Sequence, residues 1–228
     1  MDQCSSAIRA AILRGELAVG ERLPAERALA KSFGVNRTTL RSALARLAEG
    51  GLLSVRQGSG YVVQDFRRDG GPELLPGMAA LGALSSIAPD LLLVRRQMAR
   101  AVLERVAGAA DSTAVDAIAA AIDRFEHAVE AGLDTAAIAE ADLGVLSAIL
   151  DATGSAVLRL CFNPVLGVLA ELPDLRDAIY AEPRGNVTGW RALLAWLRAP
   201  HRAGAAGVDD IVAELERRDA ATLRRIRS

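Results

Sequence analysis

Between residues 24 and 63 the chain sets out its breakers and caps in an order that leaves little choice of fold. Pro24 suits the first turn of a short helix from Ala25 to Phe33, where its missing N–H costs nothing. Gly34 supplies a left-handed helix end. Asn36 then stands as N-cap of a helix from Arg37 to Glu49, whose inward stripe is Leu40, Ala43, Leu44 and Leu47. Gly50-Gly51 ends it. Leu52–Val55 and Tyr61–Val63 read as strands around the Gly-rich turn Gln57-Gly58-Ser59-Gly60. Upstream, Ile8, Ile12 and Leu13 share one helix face, Gly15 is a stop, and Gly20–Leu23 reads as a loop. Three short helices and a hairpin in this order predict a winged helix-turn-helix over residues 1–66.

The stretch Gln64–Pro72 turns polar and then Gly/Pro-rich, so residues 67–88 read as a linker. Residues 89–228 then carry helical spacing throughout: Asp90–Ala110, Thr113–Ala131, Asp134–Leu150, Gly154–Leu172, Val187–Leu197 and Val208–Ile226. Short loops between such helices predict an all-α antiparallel bundle. The fold class is mainly α.

Charge divides the same way. Residues 1–69 carry 11 Lys and Arg against 7 Asp and Glu, a balance of +4; the remainder carries 16 against 21, a balance of −5. A basic front on an acidic back suits contact of the front with a polyanion. At 51% apolar and 24% charged residues the chain is not a disordered polymer. Apolar runs such as Leu91–Val94 fall short of the ~18 residues that a bilayer span needs, so no membrane partner is expected. Met1–Ser6 has no basic and apolar signal pattern, and the two cysteines, Cys4 and Cys161, read as free thiols of a cytoplasmic protein.

The start of the Arg37–Glu49 helix is where such a module meets the major groove. Arg37 and Arg41 lie one turn apart on one side, and a guanidinium bonds guanine O6 and N7 in a fork. Thr38 and Thr39 are short donors for phosphate, and Asn36 reaches phosphate or a base edge. Arg27, on the outer face of the preceding helix, meets the backbone. The turn at Gln57 and Gly58 allows close approach to the minor groove.

Leu23-Pro24-Ala25-Glu26-Arg27, Gly34–Arg41, Ala45–Ala48, Gly51-Leu52-Leu53 and Gln57–Val63 together resemble the winged-helix domain of the GntR family of bacterial transcription regulators. The resemblance covers about residues 3–64. It implies a homodimer on a short palindromic operator in double-stranded DNA. It also implies that Arg27, Arg37, Arg41 and Gly58 are contacts, with Asn36, Thr38 and Thr39 beside them. Many relatives have Thr or Ser in place of Asn36, and often His in place of Gln57.

The back half resembles the helical effector domain of the FadR subfamily. The likeness rests on Leu93-Val94-Arg95, Asp142, Ala152–Ser155 and a charged final helix. Many such domains hold a metal through one Asp and three His, and the metal holds a carboxylate effector. Here the chain has only His127 and His201, neither at a family position. Leu146 stands four residues after Asp142, and the other two positions fall near Trp190 and Asp219. Asp142 and Asp219 alone make a poor transition-metal site, so no metal and no cofactor are expected. The segment Gly154–Leu172 with Asn163, and Trp190, are similar to the acyl-CoA-binding branch of the subfamily, which implies an apolar or acyl-type small-molecule effector. Arg95, Asp142, Asn163 and Trp190 are the candidate ligand residues. Arg95 either grips an anionic group or bridges to a neighbouring helix, and is also a candidate partner for a buried Asp142. Trp190, Trp196 and Phe162 fit core packing as well as ligand contact.

No Gly-x-Ser-x-Gly elbow, phosphate loop or clustered catalytic set is present, so enzymatic chemistry is not expected. The resulting expectation is a cytoplasmic, ligand-responsive repressor. The alternative is a regulator whose helical domain has lost its effector and serves only as a dimerisation scaffold.

Overall fold

The computed structural model describes residues 2–56, 60–199 and 205–227. It divides into two compact units, Met1–Ala83 and Leu84–Ser228.

In the first unit, α1 (Asp2–Leu13), α2 (Glu26–Ser32) and α3 (Arg37–Glu49) precede an antiparallel pair, β1 (Leu53–Arg56) and β2 (Gly60–Val63). Leu40, Ala43, Leu44 and Leu47 of α3 are fully buried against Cys4, Ile8 and Ile12 of α1 and Ala30 of α2. The α2–α3 turn requires Gly34, whose φ is +64°. The segment expected as a loop at Gly20–Leu23 instead pairs with β2. Gly20 N donates to Val63 O at 2.9 Å, Leu23 N to Tyr61 O at 3.0 Å, and Val63 N to Glu21 O at 2.9 Å. Burial of Leu23 draws this segment onto the hairpin.

The expected linker is largely helical. It forms α4 (Phe66–Asp69), a 3-10 turn at Pro72–Leu74, α5 (Leu75–Met78) and a π turn at Ala79–Ala83. Pro72 and Pro76 sit in first turns, where they punctuate helices without breaking them. Leu74 is buried in the head core. The backbone of Asp69 lies directly on Gly51: a Cβ there would stand 1.9 Å from Asp69 O.

The second unit is all helix: α6 (Leu84–Ala109), α7 (Ser112–Glu130), α8 (Thr135–Ala152), α9 (Ala156–Ala170), α10 (Pro173–Ile179), α11 (Pro183–Arg198) and α12 (Ala205–Arg227). Asp111, Asp134 and Ser155 cap α7, α8 and α9 through their side chains. α7 packs between α8 and α11, and α12 packs along α6 and α10. Ile118, Ile122 and Phe125 of α7 meet Val145 of α8 and Leu193 and Leu197 of α11 in the core. The Gly154–Leu172 helix ends early, because Pro173 starts the separate helix α10.

α6 starts six residues before Asp90 and carries Pro89 within it. The stretch Pro72–Ala109 is helical and apolar enough, by length and composition, to cross a membrane, which the sequence expectation did not foresee. Only 17% of its most apolar window is buried, and Gly82 interrupts the stretch with φ +89°.

Candidate nucleic-acid interface and inner polar cluster

The N-cap of α3 fixes the geometry of the head's polar face. Asn36 Oδ1 accepts from Thr39 N at 2.8 Å, which holds the side chain at the helix start with its amide NH2 available to an outside partner. Arg27, Arg37, Thr38 and Arg41 are exposed, and Thr39 is half-buried. The guanidinium of Arg41 is not idle: its Nε donates to Glu26 Oε1 at 3.2 Å. Arg37 and Arg27 carry no such tether among the described residues. Gln57 and Gly58 lie outside the described residues.

In the helical unit, Asp142 on α8 is buried at 7% exposure. Its partner is not Arg95. Tyr180, following α10, donates its hydroxyl to Asp142 Oδ2 at 2.6 Å, and the indole N–H of Trp190 on α11 donates to Oδ1. Both donors are neutral, so the carboxylate is satisfied without forming an ion pair. Arg95 is spent on Asp219 of α12, with Arg96 Nη1 on the other carboxylate oxygen at 2.9 Å. Of the two roles open to Arg95, the bridge to a neighbouring helix is the one seen.

Burial pushes the Asp142 carboxyl above the ordinary range, against the pull of its two hydrogen bonds and the fields of Arg218 and Arg95. Burial raises Asp219 as well, against Arg95 and Arg96. The Tyr180 phenol is pushed far up by burial and by the adjacent Asp142.

Asn163 stands exposed on α9 without a hydrogen bond among the described residues, so it does not join this cluster. Phe162 is core, and Trp190 and Trp196 pack against the same core. Leu146 is half-buried, His127 is exposed on α7, and His201 lies outside the described residues. The residues do not fit the family metal. Leu146 offers no ligand atom, an indole N–H only donates, and Asp219 is neutralised by two guanidiniums. Among the described residues no three His, Cys, Asp or Glu side chains converge.

Tyr180 and Arg218 escape sequence reasoning. Tyr180 caps a seven-residue helix with no periodic signal, and Arg218 sits in the run Arg217-Arg218-Asp219, which reads as a solvated face.

A capped recognition helix in a winged head, followed along the chain by an all-helical unit, defines a DNA-binding transcription regulator with a separate helical domain. Residues 2–63 match the model of the bacterial regulatory proteins, gntR family, and residues 90–208 match the FCD domain. The chain belongs to the GntR family, with an FCD domain as its second part. It is 35% identical over 212 residues to an HTH-type transcriptional regulator of Mycobacterium tuberculosis, covering 90% of this chain and 83% of that one. It is 32% identical over 151 residues to the fatty acid metabolism regulator protein of Edwardsiella ictaluri, covering 65% of this chain and 60% of that one. In fold it is similar to Streptococcus agalactiae GntR (TM-score 0.51, 22% identity, 98% of each chain). It is likewise similar to Escherichia coli McbR/YncC (TM-score 0.53, 19% identity, 99% and 97% covered). Family and relatives are transcription regulators, and the chain is a regulator rather than an enzyme.

Proposed function

We propose that the chain is a cytoplasmic, ligand-responsive repressor that binds a palindromic operator as a homodimer. The observation that carries this is the head's polar face. Arg37 and Thr38 stand exposed at the capped start of α3, with Arg27 exposed on α2. Arg37 and Arg41 read base edges, while Arg27, Asn36, Thr38 and Thr39 hold the phosphates. Gln57 and Gly58 complete the contacts through the wing. A small-molecule effector in the helical domain shifts the geometry of the paired heads and weakens operator binding, with a coupling of about 1–3 kcal/mol. The 32% identity to a fatty acid metabolism regulator supports an apolar or acyl-type effector. No metal or other cofactor takes part, because Leu146 and Trp190 offer no ligand atom and the carboxylates of Asp142 and Asp219 are already taken by Tyr180, Trp190, Arg95 and Arg96.

Selection from a randomised duplex library with the purified protein defines the operator. Arg37→Ala then costs about 1–3 kcal/mol of operator affinity and relaxes the preference at one base pair in each half-site. Affinity falls steeply with salt in both proteins. An Arg37→Ala protein with unchanged affinity and preference, or binding that ignores salt, removes this assignment.

A second reading has one observation in its favour. The carboxylate of Asp142 is already closed off by Tyr180 and Trp190, as a helical domain serving only as a scaffold would have it.

A further inference from the structure

Between residues 20 and 40 the head carries four cations, Arg22, Arg27, Lys31 and Arg37, and two acids, Glu21 and Glu26. Neither acid pairs with any of the four. Glu21 Oε2 accepts from Ala18 N at 2.8 Å, and Glu26 Oε1 accepts from Arg41 Nε at 3.2 Å. Arg14, further back, is neutralised by Glu16, with its Nε on Oε1 at 2.5 Å. All four cations are exposed, and none has a hydrogen bond or ion pair among the described residues. The positive balance of the head is concentrated here in unpaired form.

Arg27 and Arg37 already have roles; Lys31 and Arg22 have none. Lys31 follows Arg27 by four residues on α2, so the two side chains leave the same face one turn apart. Leu29 and Ala30 take the other side of that helix, into the head core. Like charges at this spacing repel and weaken a helix, and an external polyanion relieves the repulsion. Their Cβ atoms are about 5–6 Å apart, and phosphates follow one another every ~3.4 Å of axis along a DNA strand, so neighbouring phosphates are within reach of the pair. Arg22 stands opposite Val62 of β2 in an antiparallel bridge, at the base of the wing. Its neighbour Leu23 is buried, so alternation along the extended backbone turns Arg22 away from the core.

We infer that Lys31 and Arg22 are phosphate contacts that extend the duplex interface beyond Arg27 and the start of α3, Lys31 along α2 and Arg22 beside the wing. They hold the backbone and read no base. This inference rests on the contact surface proposed above for the head and enlarges it. Lys31 is also the only lysine among the 27 basic residues, so its amine can be modified without touching another side chain of that kind.

The test uses the full-length protein and two labelled duplexes, the selected operator and one of unrelated sequence, at several chloride concentrations. Each lost contact makes the plot of log affinity against log salt shallower by about 0.9, or about eightfold in affinity at about 0.1 M salt when the lines are referred to about 1 M. Lys31→Gln and Arg22→Gln each do this on both duplexes, while the order of preference among operator variants stays that of the wild type. Both side chains are exposed, so the melting temperature holds. Arg124→Gln removes the same charge from an exposed site on α7 and leaves the slope alone. Chemistry on the single lysine gives an independent readout. Reductive methylation keeps the charge and the slope, whereas acetylation removes the charge and reproduces Lys31→Gln. Lys31→Arg, acetylated in the same way, reports the part due to the terminal amine. A Gln variant with the wild-type slope strikes its residue from the interface. An equal effect of Arg124→Gln, or acetylation that leaves affinity alone, overturns the inference. Arg37→Ala in the same assay keeps the two readings apart. If it loses base preference while both Gln variants keep the wild-type slope, the proposed reading helix stands and the extended phosphate contacts fall.

Discussion

The indole N–H of Trp190 on α11 and the carboxylate of Asp142 on α8, 48 residues apart in sequence, form a buried hydrogen bond in the helical unit. With the Tyr180 hydroxyl at 2.6 Å on the other oxygen, it ties three segments to one carboxylate. Trp190→Phe and Tyr180→Phe each remove one donor and keep the ring. A buried hydrogen bond contributes about 0.5–1.5 kcal/mol, and up to about 3 kcal/mol where the acceptor is charged. Each variant therefore unfolds at lower urea, by about that amount, with the slope of the transition unchanged.

Burial raises the folded-state pKa of Asp142 above its ordinary value. A carboxyl of that kind holds its proton more tightly when folded. Its contribution to stability is full below the unfolded pKa and is lost as pH rises through the folded one. Asp142→Asn does not titrate. The stability of the wild type relative to Asp142→Asn therefore increases as pH is lowered from 7 towards 4. Urea unfolding of both proteins at the two pH values checks the sign.

Glu26 holds Arg41 at 3.2 Å on the face proposed to meet DNA. The pair is exposed, so it is worth at most about 1 kcal/mol. Glu26→Gln releases the guanidinium and removes a negative charge from that face. Operator affinity rises by up to about fivefold at low salt, and the gain shrinks as salt is added. Fluorescence anisotropy on a labelled operator measures both.

Gly51 has φ +69°, and a Cβ there would stand 1.9 Å from Asp69 O, an atom of the backbone. A left-handed backbone alone costs a non-glycine residue about 1–2 kcal/mol, and the clash adds to it. Gly51→Ala destabilises the head by more than that amount, whereas Gly50→Ala, with its nearest atom at 3.5 Å, is mild by comparison. Calorimetry of the full chain distinguishes the two variants.

Leu146 and Trp190 lack the lone pairs that a transition metal needs. Chelation by EDTA therefore leaves the melting temperature and operator affinity unchanged, and metal analysis of the purified protein finds no stoichiometric zinc, nickel or manganese. A bound metal would mean that other residues assemble the site.

The head was legible because its instructions are local. Gly34, Asn36 and Gly50-Gly51 act on their immediate neighbours, and the stripe Leu40, Ala43, Leu44 and Leu47 follows from helical period alone. What failed there was non-local. Residues 20–23 have too little apolar pattern to announce that they pair with β2. Gly and Pro between residues 70 and 77 looked like a linker but stand at the ends of short helices. In the second unit the helices were legible, and so was the need of a buried Asp142 for a partner. The partner itself was not. Arg95 was the nearest plausible cation by chemistry, yet Asp219, 124 residues away, holds it.

Sequence by itself determined where helices start and stop, which face of each is apolar, and that the polar start of α3 follows a helix-turn-helix cap. It also determined that the imidazoles of a family metal site are missing. Only the tertiary structure decided that Asp142 meets Tyr180 and Trp190 and that Arg95 and Arg96 share Asp219. The reason is physical: periodicity reports which way a side chain faces, but which neighbour it faces depends on how seven helices pack, and that is settled by side chains far apart in the chain.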